Sequence, residues 1–527
     1  MTDPERQRRP TGANRRRRNV LTMMVGGFGG LIARASRARW PEPGDPLKTI
    51  AVRERVTPTG ASGMAADGDG SAASYSRPAI TPLRVAPGLE GFGTSTAAGR
   101  GGQILVVSTT ARSGPGSYAA AMATPGRRQI LFDVGGVIVM PPGGLRIAHG
   151  QVSVFGQSAR GDGVEFRADP ADGHPNTHIQ SSDVFMQHVR FRTGPGPVRD
   201  GGWSARDSIN VGSTTTPVSR VVLDHVSASW GTDEIADFWG GSADITVSNS
   251  LFYENLHSST DNFATSGRAV FFSDRCRRIS LQRCVIAVGT GRMPMMQSVF
   301  DFDVFNNIVF GYTKTAFEAQ VTSNIDVRGR VENNLFIDSL DGRFEIAILL
   351  KAHGGKGNYR IAIGGNRCQR GKPGSPLARV RVTDAVGGSV TDASLGDAPK
   401  RPPRPESVDP ERLEAVLLTH VGASAPGRDD ADARVIEMIR ARQGSLVDCV
   451  DGQVVTSAND GCARSVPAAT LTRGASRLGP APDFVPNDWK RASGLSLDVD
   501  ARVSDSNEDG YPDIEDWLAD LASPRGN

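Results

Sequence analysis

Asp233-Glu234-Ile235-Ala236-Asp237 sets three carboxylates within five residues, and Asp207 and Leu223-Asp224-His225 come shortly before it. Carboxylate oxygens that can adjust their geometry are what a calcium ion takes as ligands. A divalent cation beside a basic side chain suits one demanding reaction, elimination from a uronic-acid polymer. There the proton on C5, next to the sugar carboxylate, must leave while the bond to the O4 leaving group breaks. The obstacle is negative charge building on the carboxylate, which a cation and guanidinium or ammonium groups can offset. Taken by itself, Arg292 in Gly291-Arg292-Met293-Pro294 reads as an exposed arginine at a turn. On its own the acidic run reads equally well as solvated loop acids. The chemistry therefore depends on elements that bring Asp207, Asp233 and Asp237 to one ion.

Such elements are legible between about residues 86 and 370. Strands are short, β-branched and bounded by Gly or Asn, as in Gly102-Gln103-Ile104-Leu105-Val106-Val107 and Ile130-Leu131-Phe132-Asp133-Val134. A β-rich unit recurs with matching positions at Val226, Ser250, Cys284, Asn307 and Asn334, which lie 24, 34, 23 and 27 residues apart. An irregular period of this size is the mark of a solenoid with loops inserted in some turns. The alternative is a β-sandwich whose strands resemble one another by chance. In a solenoid, side chains on adjacent turns stand about 4.8 Å apart, close enough for acids from separate turns to share one cation.

Several stretches in one order resemble the pectate lyase superfamily. They are Gly88-Leu89-Glu90-Gly91-Phe92-Gly93, Gly99-Arg100-Gly101-Gly102, Ser113-Gly114-Pro115-Gly116-Ser117, Pro125-Gly126-Arg127-Arg128, Phe132-Asp133-Val134-Gly135-Gly136-Val137-Ile138, Gly156-Gln157-Ser158, Arg190-Phe191-Arg192 and Asp224-His225-Val226-Ser227-Ala228-Ser229-Trp230. The resemblance implies an all-β, right-handed parallel β-helix, bound Ca2+ and elimination on a pectate-like polygalacturonate. It implies that Asp207, Asp233 and Asp237 are calcium ligands, with Glu234 a substitute ligand, and that Arg292 takes the base role. A guanidinium is an unusual base, since it stays protonated in nearly every setting. The chain departs from the family twice. Met295, Met296 and Gln297 follow where a second arginine is expected, and no lysine occurs from Asn249 through Gln297. Arg268, with Arg275 or Arg277 as alternatives, and His257 are the candidates to hold substrate in their place, although His257 reads first as a surface or hydrogen-bonded histidine. These departures keep two other readings open: a β-helix that binds polysaccharide without cleaving it, and a lyase for another polyuronate.

Near the C-terminus Asp505-x-Asn507-x-Asp509-Gly510-Tyr511-x-Asp513-x-x-Asp516 places oxygen donors at loop positions 1, 3, 5, 9 and 12 with Gly at 6. That is the order of an EF-hand calcium loop, with Asp in place of the usual final Glu. It is similar to a dockerin-type loop, and a single copy suits a structural clip.

The remaining features bound the whole. Gly 62 and Pro 33 among 527 residues, with 6% aromatics, favour many short strands and turns. The near balance of 60 Lys and Arg against 57 Asp and Glu gives no general pull on nucleic acid. Arg15 to Arg18, an apolar run from Val20 to Ala33 and the small residues around Ala35 read as a twin-arginine-like export signal over 1–38, with a basic tail as the alternative. A linker is expected over 39–85, a C-terminal extension with helices over 371–490, and the calcium loop over 495–522. Apolar residues at helical spacing, Leu413, Val416 and Leu417, then Val435, Ile436 and Ile439, predict the helices. Cys449 and Cys462 bracket a turn-rich segment and could pair, whereas Cys276, Cys284 and Cys368 suit buried positions. The expectation is a secreted or periplasmic monomer without a membrane span, acting on an acidic polysaccharide.

Overall fold

The computed structural model describes residues 83–523 except 173–175, 197–205, 258–266, 323, 338–346, 353–356, 358, 371–372, 377, 380–381, 385–402, 453–461 and 463. The expected export signal, most of the linker and Ser258 to Asp261 lie outside the described residues.

The chain winds as a right-handed parallel β-helix whose turns each contribute one strand to three sheets of ten, ten and nine strands. Ser219–Asp224, Ala243–Ser248 and Arg277–Gln282 lie in the first sheet, Ser227–Ser229, Leu251–Tyr253 and Val285–Gly289 in the second, and Ile209–Val211, Glu234–Phe238 and Arg268–Phe272 in the third. Pairing runs from one turn to the next, as Val221 with Ile245 and Ile245 with Ile279. The sandwich alternative is thereby excluded, because from Arg128–Phe132 to Tyr359–Gly364 each strand pairs in parallel with its counterpart one turn away.

The repeat read from the sequence is an interior column. Ser250 Oγ accepts from Val226 N at 3.1 Å, and Asn307 Oδ1 from Cys284 N at 2.8 Å. The Asn307 amide donates to Asn334 Oδ1 at 2.9 Å and Asn334 donates to Asn366 Oδ1 at 2.9 Å. A buried amide is tolerated because the turns above and below satisfy it. The residue before each rung turns the corner in the left-handed region, as at Asn249 with φ 48° and Asn333 with φ 54°, a conformation that Asn accepts more readily than most side chains. Cys276 and Cys284 are buried as expected, but Cys368 is only half-buried.

Helix α1 (Tyr118–Ala123) plugs the N-terminal end of the coil. Its Tyr118 ring stacks on Phe166 at 4.1 Å, within the core cluster that also holds Phe132 and Phe191. The C-terminal extension forms α2 (Leu413–Leu417), α3 (Asp430–Ala441), α4 (Asn487–Ala492) and α5 (Asp513–Ala522). Helices α2 and α3 cover the outer face of the second sheet through Leu413, Leu417, Val435, Ile436 and Ile439, packed on Leu251, Tyr253, Val285 and Ile308. Helix α5 covers the first sheet through Ile514, Trp517 and Leu518, packed near Leu131, Phe155, Phe185 and Val222. Burial of these faces is the main force holding the extension.

The α3 end is also tied electrostatically. Arg192 reaches Glu165 at 2.7 Å, Asp429 at 2.7 Å and Asp432 at 2.8 Å, and Arg190 reaches Asp429 at 2.9 Å, all without solvent exposure. Cys449 and Cys462 form a disulfide. Neither outer apolar cluster includes an outward residue of the third sheet, and that sheet carries the acids. Among the described residues no helix is long and apolar enough to cross a membrane.

Candidate active site on the third sheet

Alternation along each strand decides which side chains leave the coil. Ile209 and Val211, Ala236 and Phe238, and Val270 and Phe272 are buried in the core. The residues between them, Asn210, Asp237 and Phe271, therefore form one outward column, in register across three neighbouring strands. Arg146 and His178 extend it on the N-terminal side, and Met295 and Glu318 on the C-terminal side.

The expected acids meet at the start of this column. Ligand oxygens of Asp207, Asp233 and Glu234 lie within 4.8 Å of one another. Asp207 is fixed by the Glu234 N–H, donating to Oδ1 at 3.0 Å, and by Asn210 Nδ2, donating to Oδ2 at 3.1 Å. The corner leading to these acids is open only to glycine. A Cβ at Gly231 would meet the Glu234 carbonyl oxygen at 2.2 Å and Asn255 Oδ1 at 2.7 Å. Asn255 in turn donates to the Asp233 carbonyl at 2.6 Å. Asp237 stands beside this trio, and its Oδ1 is sealed from solvent with no hydrogen-bond partner among the described residues.

Crowded acids resist ionisation. Burial, then the neighbouring Asp233, pushes the Asp207 carboxyl up to about 7. Burial, then Asp207 and Asp233, holds Asp237 well above the ordinary carboxylate range. The donor set is all carboxylate oxygen, one oxygen of it orphaned, and negative charge is under-compensated. These residues fit a hard divalent cation such as calcium.

Two guanidiniums border the acids. Arg268 reaches Asp233 at 2.7 Å and Glu234 at 3.9 Å. Arg292 pairs with Glu234 and lies over the Phe271 ring, 4.0 Å from its centroid. Burial works against the charged form of Arg292, while Asp233, Glu318 and Asp207 favour it. Further along, Lys351 pairs with Glu318 at 2.8 Å.

Arg292, Arg268, Asp207, Asp233 and Glu234 are thus assembled in one place, while Asp237 lies near enough to feel their charge but outside the group whose ligand oxygens lie within 4.8 Å of one another. His257 is not among them. Its Nδ1 lies 3.2 Å from Arg464 and 3.7 Å from Asp448, and its N–H donates to the Val447 carbonyl, so its described partners belong to the C-terminal extension. Phe271 and Asn210 were not singled out from sequence. Their only signal is the register of the coil, which places each one rung from Asp237.

The C-terminal loop is separate. Asp505 accepts from the N–H groups of Asp509 at 3.1 Å and Gly510 at 2.9 Å, Asn507 from Asp509 at 3.1 Å, and Asn507 Nδ2 donates to Asp516 at 3.0 Å. Burial, then Asp509, Asp513 and Asp505, pushes Asp516 up to about 6. Asp513 differs: its carboxylate accepts from Ser506 N at 2.8 Å and from the hydroxyls of Ser504 and Ser506.

No family model matches the sequence. Over 445 residues, 82% of this chain, it is 26% identical to a probable pectate lyase C of Aspergillus oryzae, and the match spans 93% of that protein. It is 29% identical over 317 residues to a probable pectate lyase C of Aspergillus fumigatus, covering 54% of this chain and 68% of the relative. Among solved structures, the major allergen from cedar pollen aligns with a TM-score of 0.46 at 17% identity, over 63% of this chain and 92% of its own.

Proposed function

We propose that this chain, a β-helix protein of the pectate lyase superfamily, is a calcium-dependent lyase that cleaves a pectate-like (1→4)-linked galacturonan by β-elimination. The observation that carries the reading is the meeting of Asp207, Asp233, Glu234 and Asp237 beside Arg268 and Arg292 on the outward face that the two outer apolar clusters leave open. Its curated fungal relatives carry the same activity in their names.

Asp207, Asp233, Asp237 and Glu234 would hold the ion. Bound there, calcium would supply positive charge against a uronate carboxylate and so acidify the adjacent C5–H. The protein's own part is positional. Phe271 supports the Arg292 guanidinium from below, and Glu234 draws it toward the acids. Arg292 takes the base role at the reacting carbon: an unprotonated guanidine there would accept the C5 proton, the C5–H bonding pair would become the C4–C5 double bond, and the C4–O bond would break as O4 takes a proton from water. Arg268 is the second cation available to a sugar carboxylate, the role for which His257 was also considered.

Purified protein with calcium should release unsaturated uronide from polygalacturonate and stop when a chelator is added. Release of no unsaturated product, with or without the metal, would overturn the assignment. For the C-terminal loop, Asp505, Asn507, Asp509 and Asp516 would hold a second, structural calcium, with Asp513 at the position that often contributes through water. Equilibrium dialysis should count one bound ion fewer in Asp505→Ala. Export to the periplasm or medium suits the Cys449–Cys462 disulfide, since such bridges persist in oxidising compartments.

A further inference from the structure

On the N-terminal side of the acids, the outward column continues through His178 to Arg146, and the half-buried Trp239 leans over it. This patch is held rigidly. Trp239 Nε1 donates to Asn210 Oδ1 at 2.6 Å, and Asn210 is the same residue that donates to Asp207. The indole lies flat on Gly212, where an added Cβ would come within 2.7 Å of the ring atoms. His178 lies 6.0 Å from the indole, centroid to centroid. Its Nε2 is 3.0 Å from the Gly212 carbonyl, which makes Nε2 the protonated nitrogen and leaves Nδ1 to accept from Arg146 at 3.1 Å. Burial lowers the His178 pKa, in keeping with a neutral ring.

Arg146 is exposed and, unlike Arg268, Arg292 and Lys351, has no ion-pair partner among the described residues. A guanidinium oriented by a neutral imidazole and lacking a counter-ion is poised for a planar carboxylate, which it can grip with two parallel hydrogen bonds. A fixed, half-open indole beside it offers an apolar face with a polar edge, suited to the face of a sugar ring.

We infer that Arg146, His178 and Trp239 form a distal subsite for an acidic sugar of the polymer, with Trp239 stacking on a ring, Arg146 binding its carboxylate and His178 positioning Arg146. The inference rests on the polyuronate reading of the acid site. Arg146 stands three rungs from Asp237, roughly 14 Å at the spacing of a sheet, so the subsite serves polymers longer than a single sugar unit.

The test compares Arg146→Gln, Arg146→Lys, Trp239→Ala and Trp239→Phe with the full wild-type chain. For Arg146→Gln and Trp239→Ala, KM on long polygalacturonate should rise about tenfold, with kcat moving far less; the melting temperature should hold for Arg146→Gln, whose side chain is exposed, and Trp239→Phe keeps most of the ring packing that Trp239→Ala loses. Arg146→Lys and Trp239→Phe should recover part of the loss. KM within about twofold of wild type for both Arg146→Gln and Trp239→Ala would overturn the subsite. The Arg146→Gln effect should be confined to the free-acid polymer; an equal rise on methyl-esterified pectin would overturn the carboxylate contact. Retention in gels containing polygalacturonate, measured in an Arg292→Ala background, reads binding without turnover. If wild type makes no unsaturated product yet retention still depends on Arg146 and Trp239, the lyase assignment falls and the subsite stands. If product forms and retention ignores both residues, the subsite falls and the lyase assignment stands.

Discussion

At the scale of single residues, the proposed site is a set of crowded carboxylates whose mutual repulsion a bound cation would relieve. Asp207→Asn removes one of the crowded carboxylates. It should stabilise the calcium-free protein by on the order of 1 kcal/mol, because ionising Asp207 in the fold costs free energy, and it should abolish the rise in melting temperature that calcium gives the wild type. Thermal scans with and without chelator check both halves. Arg292→Ala should lower kcat by about 10²- to 10⁴-fold, the usual contribution of a positioned proton acceptor, with Tm nearly unchanged because the side chain is partly exposed. The acids Asp233, Glu234 and Asp237 could be read from the sequence because they sit together in it. Phe271, Asn210 and Trp239 could not. What joins them to the acids is the pairing of Asp237 with Asn210 and Phe271, and that register is fixed by the lengths of whole turns rather than by neighbouring residues. His257 illustrates the converse, since nothing near it in the chain announces Asp448 and Arg464 as its partners.

At the scale of elements, the coil was legible through the Val226, Ser250, Cys284, Asn307, Asn334 repeat because an interior position repeats its side-chain chemistry from turn to turn. Asn334→Ala breaks that ladder: the Asn307 N–H loses its acceptor and the Val304 carbonyl its side-chain donor, while Asn366 Oδ1 keeps the backbone N–H of residue 334. It should cost about 1–3 kcal/mol per orphaned group, read from urea unfolding. The strap that α3 makes to the second sheet was legible only as a helix. Its anchor, Arg190 and Arg192 against Asp429 and Asp432, joins residues more than two hundred positions apart. The arginines hold the Asp429 carboxyl far below the ordinary range, even against burial. A depressed folded-state pKa contributes stability that is fully present above the unfolded value near 4 and lost as pH falls below it. Asp429→Asn should therefore destabilise the protein at pH 7 by about 3–5 kcal/mol, since it leaves buried arginines under-compensated. The gap between variant and wild type should narrow as the pH is taken below about 4, which unfolding curves at several pH values would show.

At the scale of the whole molecule, the apolar faces of the extension pack on the first and second sheets and not on the third. The disulfide closes a short loop within the extension, at a separation of 13 residues. Its reduction should cost about 3 kcal/mol by the loop-entropy estimate, and melting with and without reductant measures it. The helices of the extension followed from period, and a solenoid from composition and the repeat, while the right-handed parallel β-helix was what the family resemblance implied. Which sheet each helix covers did not follow, because the apolar stripes of α3 and α5 look alike in sequence and only the outward residues of the sheets tell them apart.

Helix α1 bears on how such a coil stays single. A stack of parallel strands ends in a rung whose amides and apolar interior could recruit another chain, and growth of that kind leads to fibres. With the Tyr118 ring seated on Phe166, the first rung presents a lid in place of a template. The molecule can therefore be long and regular, as a polymer-binding face requires, without inviting copies of itself to extend the pattern.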